Sequence, residues 1–149
     1  MLRPTACQAI LPVQGRFTLD VLRAGVVVER VDEPNMVVVG ARVILAGLLG
    51  GGTLGLTQLG LGTDMTPSVF GNTALQAPYL RPLGAADFPQ PNIVRFAFSL
   101  GTDEANGMNI AEFGLLTAAG VLFARKTRKF AVIPKDSTVA LAGTWSIQF

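Results

Sequence analysis

Asn106-Gly107-Met108-Asn109-Ile110-Ala111-Glu112-Phe113-Gly114-Leu115-Leu116-Thr117-Ala118-Ala119-Gly120-Val121-Leu122-Phe123-Ala124-Arg125 contains two apolar runs that meet at Thr117-Ala118-Ala119-Gly120. Such runs, joined by a few small residues ending in glycine, read as a β-hairpin with Gly120 free to take positive φ in the turn. Thr138 to Phe149 then alternates. Val139, Leu141, Trp145, Ile147 and Phe149 point one way, and Thr138, Thr144, Ser146 and Gln148 the other. Period-two alternation marks a strand with one buried face. An end patterned like this belongs in a sheet or against a neighbouring subunit, since unanchored chain ends fray. Glu112 is the exception in the hairpin, an acid in the otherwise apolar strand Met108 to Leu116. It must reach solvent, a base such as Arg95 or Arg125, or a neighbouring subunit.

Upstream, Asn92 to Leu100 alternates too, with Val94, Phe96, Phe98 and Leu100 on one face and Arg95, Ala97 and Ser99 on the other. Residues 77–91 hold Pro78, Pro82, Pro89 and Pro91, which lack ladder donors and put this excursion on an edge or the surface. Leu56 to Leu61 reads as a short strand, followed by a loop from Gly62 to Thr73. Met36 to Leu49 sets Val38, Ala41, Leu45 and Leu48 at helical spacing, with Asn35 as N-cap and Gly50-Gly51-Gly52 as terminator. The valine run at its start argues for a strand instead. Before it, Phe17–Leu22 and Val26–Val31 form a second hairpin around Arg23-Ala24-Gly25, and Pro34 ends it. The expectation is an all-β, mainly antiparallel β-sandwich or jelly-roll-like fold with one short helix near residues 36–49.

The run Asn109-x-Ile-x-Glu112-x-Gly114-Leu115 through Gly120-x-Leu122-x-Ala124-Arg125, with the closing Gly143-Thr144-Trp145-x-Ile147-x-Phe149, resembles small virion proteins of tailed bacteriophages, in particular tail-fibre and baseplate-attachment modules. An upstream half matches as well: Val39 to Gly50, Leu59-Gly60-Leu61-Gly62-Thr63-Asp64, and Asn72-Thr73-Ala74-Leu75. This chain has Asn72 where those modules usually carry Asp, and Leu61 where a small or polar residue is common. The resemblance spans residues 36–149 and implies a virion setting more than a specific task. It also implies a structural role for Glu112, since the modules typically carry Glu there. It divides the chain into a 1–35 arm or hairpin for docking and a 36–149 β-sandwich domain.

The 149 residues suit one core, and only 15% of them are charged while 50% are hydrophobic. Soluble domains usually carry about 25% charged residues. A surface so poor in charge points to apolar area covered by other copies of the chain or other subunits, and the same composition excludes disorder. A net charge of +2 is too weak for a nucleic-acid binder. The basic run Arg125-Lys126-Thr127-Arg128-Lys129 could contact a phosphate or an acidic partner, but with no interleaved aromatic platform it reads rather as solvated charge at a strand end that guards against edge pairing. Cys7 is the single cysteine and the chain has no histidine, so an intrachain disulfide, a thiol zinc site and a Cys–His nucleophile are all excluded.

No secretory signal pattern follows Met1-Leu2-Arg3-Pro4, and Met36 to Leu61 has too many glycines, with Arg42 besides, for a membrane span. Gly50-x-Gly52-x-x-Gly55 matches a dinucleotide fingerprint in letters only, because it follows an expected helix where the fingerprint follows a strand. Asp103 and Glu104 lie in a Gly/Asn turn where acids bond locally, which outweighs glycosidase carboxylates, and the Gly101–Gly107 loop lacks the alternate ligands of an EF-hand. No catalytic residue, cofactor or metal ligand is assigned.

The functional expectation is therefore a non-enzymatic virion protein, made in the host cytoplasm, acting as a tail-fibre, tail-tip or baseplate attachment component. The alternatives are a capsid decoration or cement protein and a stand-alone carbohydrate-binding β-sandwich. Partners would be copies of itself and other virion proteins, with no nucleic acid and no membrane span. The interface residues expected are Val26, Val27, Val28, Glu112, Arg125, Trp145 and Phe149. The valines stand out because an uncovered Val26-Val27-Val28 edge would aggregate.

Overall fold

The computed structural model describes residues 12–128 and 131–149. Cys7 and the rest of residues 1–11, with Lys129 and Phe130, lie outside the described residues. The strands are β1 (Gln14–Arg23), β2 (Val26–Val37), β3 (Leu56–Gly62), β4 (Tyr79–Pro82), β5 (Asp87–Gln90), β6 (Ile93–Leu100), β7 (Asn109–Ile110), β8 (Glu112–Thr117), β9 (Leu122–Thr127), β10 (Ile133–Pro134) and β11 (Val139–Gln148), with the helix α1 at Gly40–Leu49 between β2 and β3. Nine of the strands form one antiparallel sheet in the order β4-β3-β8-β9-β2-β1-β11-β6-β5, and β7 pairs with β10 apart from it. The fold is mainly antiparallel β and sandwich-like, as the alternation implies.

The sheet curls because its two halves share little. Along Val26–Asn35, β2 pairs with β1, but it meets β9 only at Met36↔Arg125 and Val37↔Ala124. The next hydrogen-bonded position in that register, two residues on, would set Thr127 against Pro34, which has no N–H to give. The ladder stops there, the halves splay, and their inner faces close on each other as a sandwich. Phe17 of β1 consequently packs on Phe113 of β8, with centroids 4.9 Å apart, and edge-on against Trp145 of β11 at 5.0 Å. Leu19, Val21, Phe96, Phe98, Leu100, Leu141 and Ile147 from one half meet Leu59, Leu61, Phe113, Leu115 and Ala124 from the other.

Both expected hairpins form. Gly120 takes φ 85° in the β8–β9 turn, and Ala24 and Gly25 take φ 49° and 79° in the β1–β2 turn, as a two-residue hairpin loop demands. Every residue of β8 and β9 is buried, because the core covers one face and the loop after β3 covers the other. That explains the continuous apolar run where alternation would have shown a solvated face. The proline-bearing segment supplies both outermost strands, β4 and β5. Four residues each, with Pro82 and Pro89 in them, they blunt the two edges of the sheet.

Three expectations need correction. Pro34 does not end β2, which runs on to Val37. The helix begins at Gly40 rather than Met36. Its N-cap is Val39, with no side-chain cap bond, while Asn35 lies in β2 with its amide packed over Gly15. The valine run thus went to the strand, and burial of Val38 outweighs the cap that Asn35 could have given. Lastly, the division between residues 1–35 and 36–149 is not one the strands make. β1 pairs with β11 from Gln14↔Gln148 to Arg23↔Val139 and sits inside the sheet, so the first hairpin is part of the core.

Candidate functional site

The outer face of β8 and β9 carries the buried polar centre of the molecule. Glu112 pairs with Thr127 across the hairpin, so Arg125 is its diagonal neighbour on the same face. Arg125 Nε donates to Glu112 Oε2 at 2.6 Å, and both side chains are 1% exposed or less. The loop that follows β3 wraps over the pair. Glu112 Oε1 accepts the Gln76 N–H at 2.6 Å and the Asp64 N–H at 3.4 Å. Arg125 Nη1 donates to Thr66 O at 3.0 Å and to Asn72 Oδ1 at 3.1 Å, and Nη2 lies 3.4 Å from Asp64 Oδ2. A buried charge is tolerated only when paired and fully hydrogen-bonded, and this pair meets that condition by drawing its remaining partners from the loop.

Glycines make the loop's approach possible. A Cβ at Gly62 would collide with the Glu112 carboxylate, and one at Gly114 would fall 2.9 Å from Leu75 Cδ1. Leu75 closes a small second core with Val38, Leu116 and Leu122 beneath the loop. Ser68 and Thr127 share a hydroxyl bond of 2.6 Å at its far side. A groove of about 640 Å³ opens beside it, between Pro34–Met36 of β2, Met65 and Pro67 of the loop, and Lys126 of β9.

The loop's tip carries Val69 and Phe70, both exposed, against the start of α1. Phe70 O accepts the Val39 N–H at 2.8 Å, and the Arg42 guanidinium lies 4.9 Å from the Phe70 ring centroid. Such a contact is worth about 0.5–1 kcal/mol at an exposed site. The polar centre therefore anchors a loop whose apolar tip faces outward.

The expected interface residues separate into two groups. Val26, Val27, Val28 and Phe149 are exposed, as a contact surface requires. Glu112, Arg125 and Trp145 are at the inside of the fold, and correct the expectation that they meet a neighbouring subunit: Glu112 and Arg125 satisfy each other, and Trp145 fills the core against Phe17. The Val26-Val28 edge is also not unprotected. Val21 faces Glu29 and Leu22 faces Val27, so Val28 is the extra residue of a bulge, a device that twists an edge away from pairing. Ion pairs Glu29–Arg128 and Glu33–Lys126 tie the rest of β2 to the end of β9. The described residues of the basic run are accordingly not solvated charge: Arg125 is buried, and Lys126 and Arg128 are engaged, while Lys129 lies outside the described residues.

The Gly101–Gly107 turn has its charges met by cations of the chain. Glu104 pairs with Arg81 and accepts the Gly101 N–H at 3.0 Å, while Lys135 Nζ donates to Asn106 Oδ1 at 2.8 Å. Burial holds Lys135 below the ordinary lysine range, opposed by Asp136, Asp103 and Glu104. The glycine cluster follows α1, as read from the sequence, and Gly50 caps it with its N–H on Ala46 O at 3.1 Å. Among the described residues, no group of three or more His, Cys, Asp or Glu side chains could hold a metal ion, and no helix is long and apolar enough to cross a membrane.

Sequence reasoning missed the loop's part in this site. Asp64, Thr66 and Gln76 sit in a segment without periodicity, and their role comes through backbone groups that no residue pattern encodes. Asn72 was visible only as part of the Asn72-Thr73-Ala74-Leu75 element.

Three aspartates outside the core titrate with the fold. Asp64 is held below the ordinary carboxylate range first by its bonds to Thr66, Asp136 by its bonds to Thr138, and Asp87 by Arg95. A carboxyl lowered in the folded state contributes stability above its unfolded value of about 3.9, lost as pH falls through the folded value. The urea midpoint should therefore hold above about pH 5 and fall progressively as the pH drops below it. Asp64→Asn should show a smaller drop than the parent chain; an equal drop would show that Asp64 takes no part.

Comparison with protein-family models, with curated proteins and with solved structures gives no match.

Proposed function

We propose that this protein is a non-enzymatic structural component of a tailed-bacteriophage virion, acting as a tail-fibre, tail-tip or baseplate attachment module that assembles with copies of itself and with other virion proteins. One observation carries the reading. The separate pieces of the pattern that resembles those modules meet at a single place: Glu112 and Arg125 from the hairpin bond each other, Asn72 from the upstream element accepts from Arg125, and Leu75 closes the core beneath them. A pattern scattered over half a chain and joined in one buried lock is what a rigid attachment module needs. Its job is to hold loops still while neighbours pack on them. The exposed Phe70, Val43, Leu49, Leu54 and Phe88 add apolar surface in a chain with few charges to cover it.

The test is cross-linking mass spectrometry on gradient-purified particles from cells producing the protein with the phage that carries its gene. The expected result is cross-links from this chain to tail proteins at stoichiometric occupancy. Absence of the protein from purified particles would overturn the reading, and cross-links confined to the capsid shell would replace it with a decoration role.

A further inference from the structure

Arg42 stands apart from the other arginines. Among the described residues it is the one arginine with no carboxylate at ion-pair distance, while Arg16, Arg23, Arg30, Arg81, Arg95, Arg125 and Arg128 each have at least one. It is exposed, and its guanidinium lies over Phe70. Phe70 is itself exposed, as are its chain neighbour Val69 and Val43 next to Arg42, while the exposed Val121 lies beside Gly40 at the start of α1. From Val43 to Thr63 the chain holds no charged residue, so no acid of this segment reaches the guanidinium.

We infer that this patch is a docking seat for an acidic side chain of another protein, a carboxylate carried in an apolar surface. The inference rests on the attachment reading above and names the chemistry of the partner. A guanidinium presents a planar fork of donors that fits a carboxylate in two bonds, and stacking on Phe70 fixes that plane before the partner arrives. Phe70 and the exposed valines nearby would exclude water once covered, which strengthens an ion pair made there. Arginine and aromatic residues at the middle of an apolar patch are the composition of energetic centres in protein interfaces. An anionic bilayer fits less well, because attraction to such surfaces comes from clusters of about four to eight cations. The Glu112–Arg125 pair takes part as a positioning pair, since it holds the loop that carries Phe70.

The full-length chain should be presented with a displayed library of random peptides, and the selected sequences resynthesised for binding measurements. The expected winners carry Asp or Glu between apolar residues and weaken with salt. Arg42→Gln and Phe70→Ala should each weaken them roughly tenfold or more with an unchanged circular dichroism spectrum. Failure to select any binder, winners without an acid, or equal binding by Arg42→Gln would overturn the inference. So would either of two other occupants: sedimentation in which Arg42→Gln turns an oligomer into monomers, or flotation with vesicles of equal parts phosphatidylcholine and phosphatidylglycerol that Arg42→Gln abolishes. Particle occupancy separates this from the reading beneath it. Protein present in particles with no acid-dependent binding loses the seat alone, and protein absent from particles loses the attachment role.

Discussion

A chain ending at Thr144, and equally a chain beginning at Glu33, will fail to give a soluble folded domain. Trp145 to Gln148 lie between two neighbours, pairing with Phe17 to Gln14 of β1 and with Phe96 to Ile93 of β6. Their removal loses the burial of Trp145 and Ile147, roughly 1.5–3 kcal/mol each. It also strips ladder partners from both neighbouring strands, and a buried backbone group left unmade costs about 1–3 kcal/mol. Typical domains have only about 5–15 kcal/mol in total. Deleting residues 1–32 removes Phe17, Leu19 and Val21 from the core and uncovers the other side of β11. Recovery of soluble protein, far-ultraviolet circular dichroism and urea unfolding read the outcome for both. A truncated chain that keeps a β spectrum and a cooperative transition would show that the sandwich closes without that strand.

Replacing Arg125 by alanine should be the most damaging single change. The Glu112 carboxylate, wholly buried, would keep two backbone donors and lose its cation. Breaking one side of a buried ion pair costs about 3–5 kcal/mol, which with a urea slope of about 1–3 kcal/mol/M lowers the midpoint by at least about 1 M. The loop would lose the bonds that Arg125 makes to Thr66, Asn72 and Asp64, so proteolysis between residues 63 and 76 should appear before global unfolding. Glu112→Gln combined with Arg125→Met should recover part of the loss, because no unpaired charge remains inside. An unshifted midpoint in the single variant would show that the pair does not hold the loop.

Both hairpins, the closing strand and the edge position of the proline segment were legible in the sequence, because each rests on local signals: alternation, glycine in a turn, proline without a donor. The partner of Glu112 was legible to within two residues. An acid and a base on opposite arms of one hairpin come within reach once the turn is known, and Arg125 was one of two candidates named. The start of α1 was misread for a local reason as well. Asn35 offers a cap and Val37–Val39 offer a strand, and the choice between them depends on Val38 finding a buried place against Leu75, Leu116 and Leu122.

By itself the sequence determined the all-β class, the strands that carry the core and the scarcity of surface charge, since side-chain period and composition are properties of neighbours along the chain. Tertiary structure alone decided which residues face outward. Trp145 and Val28 both read as contact residues, yet one fills the core beside Phe17 and the other stands out on a bulge. Tertiary structure also decided that the first hairpin belongs inside the sheet, that Pro34 splits the sheet into two facing halves, and that a loop without pattern completes the polar centre. The physical reason is the same in each case. Burial and pairing depend on strands about a hundred residues apart meeting in one register, as β1 and β11 do, and no local period records which strand a given strand will meet.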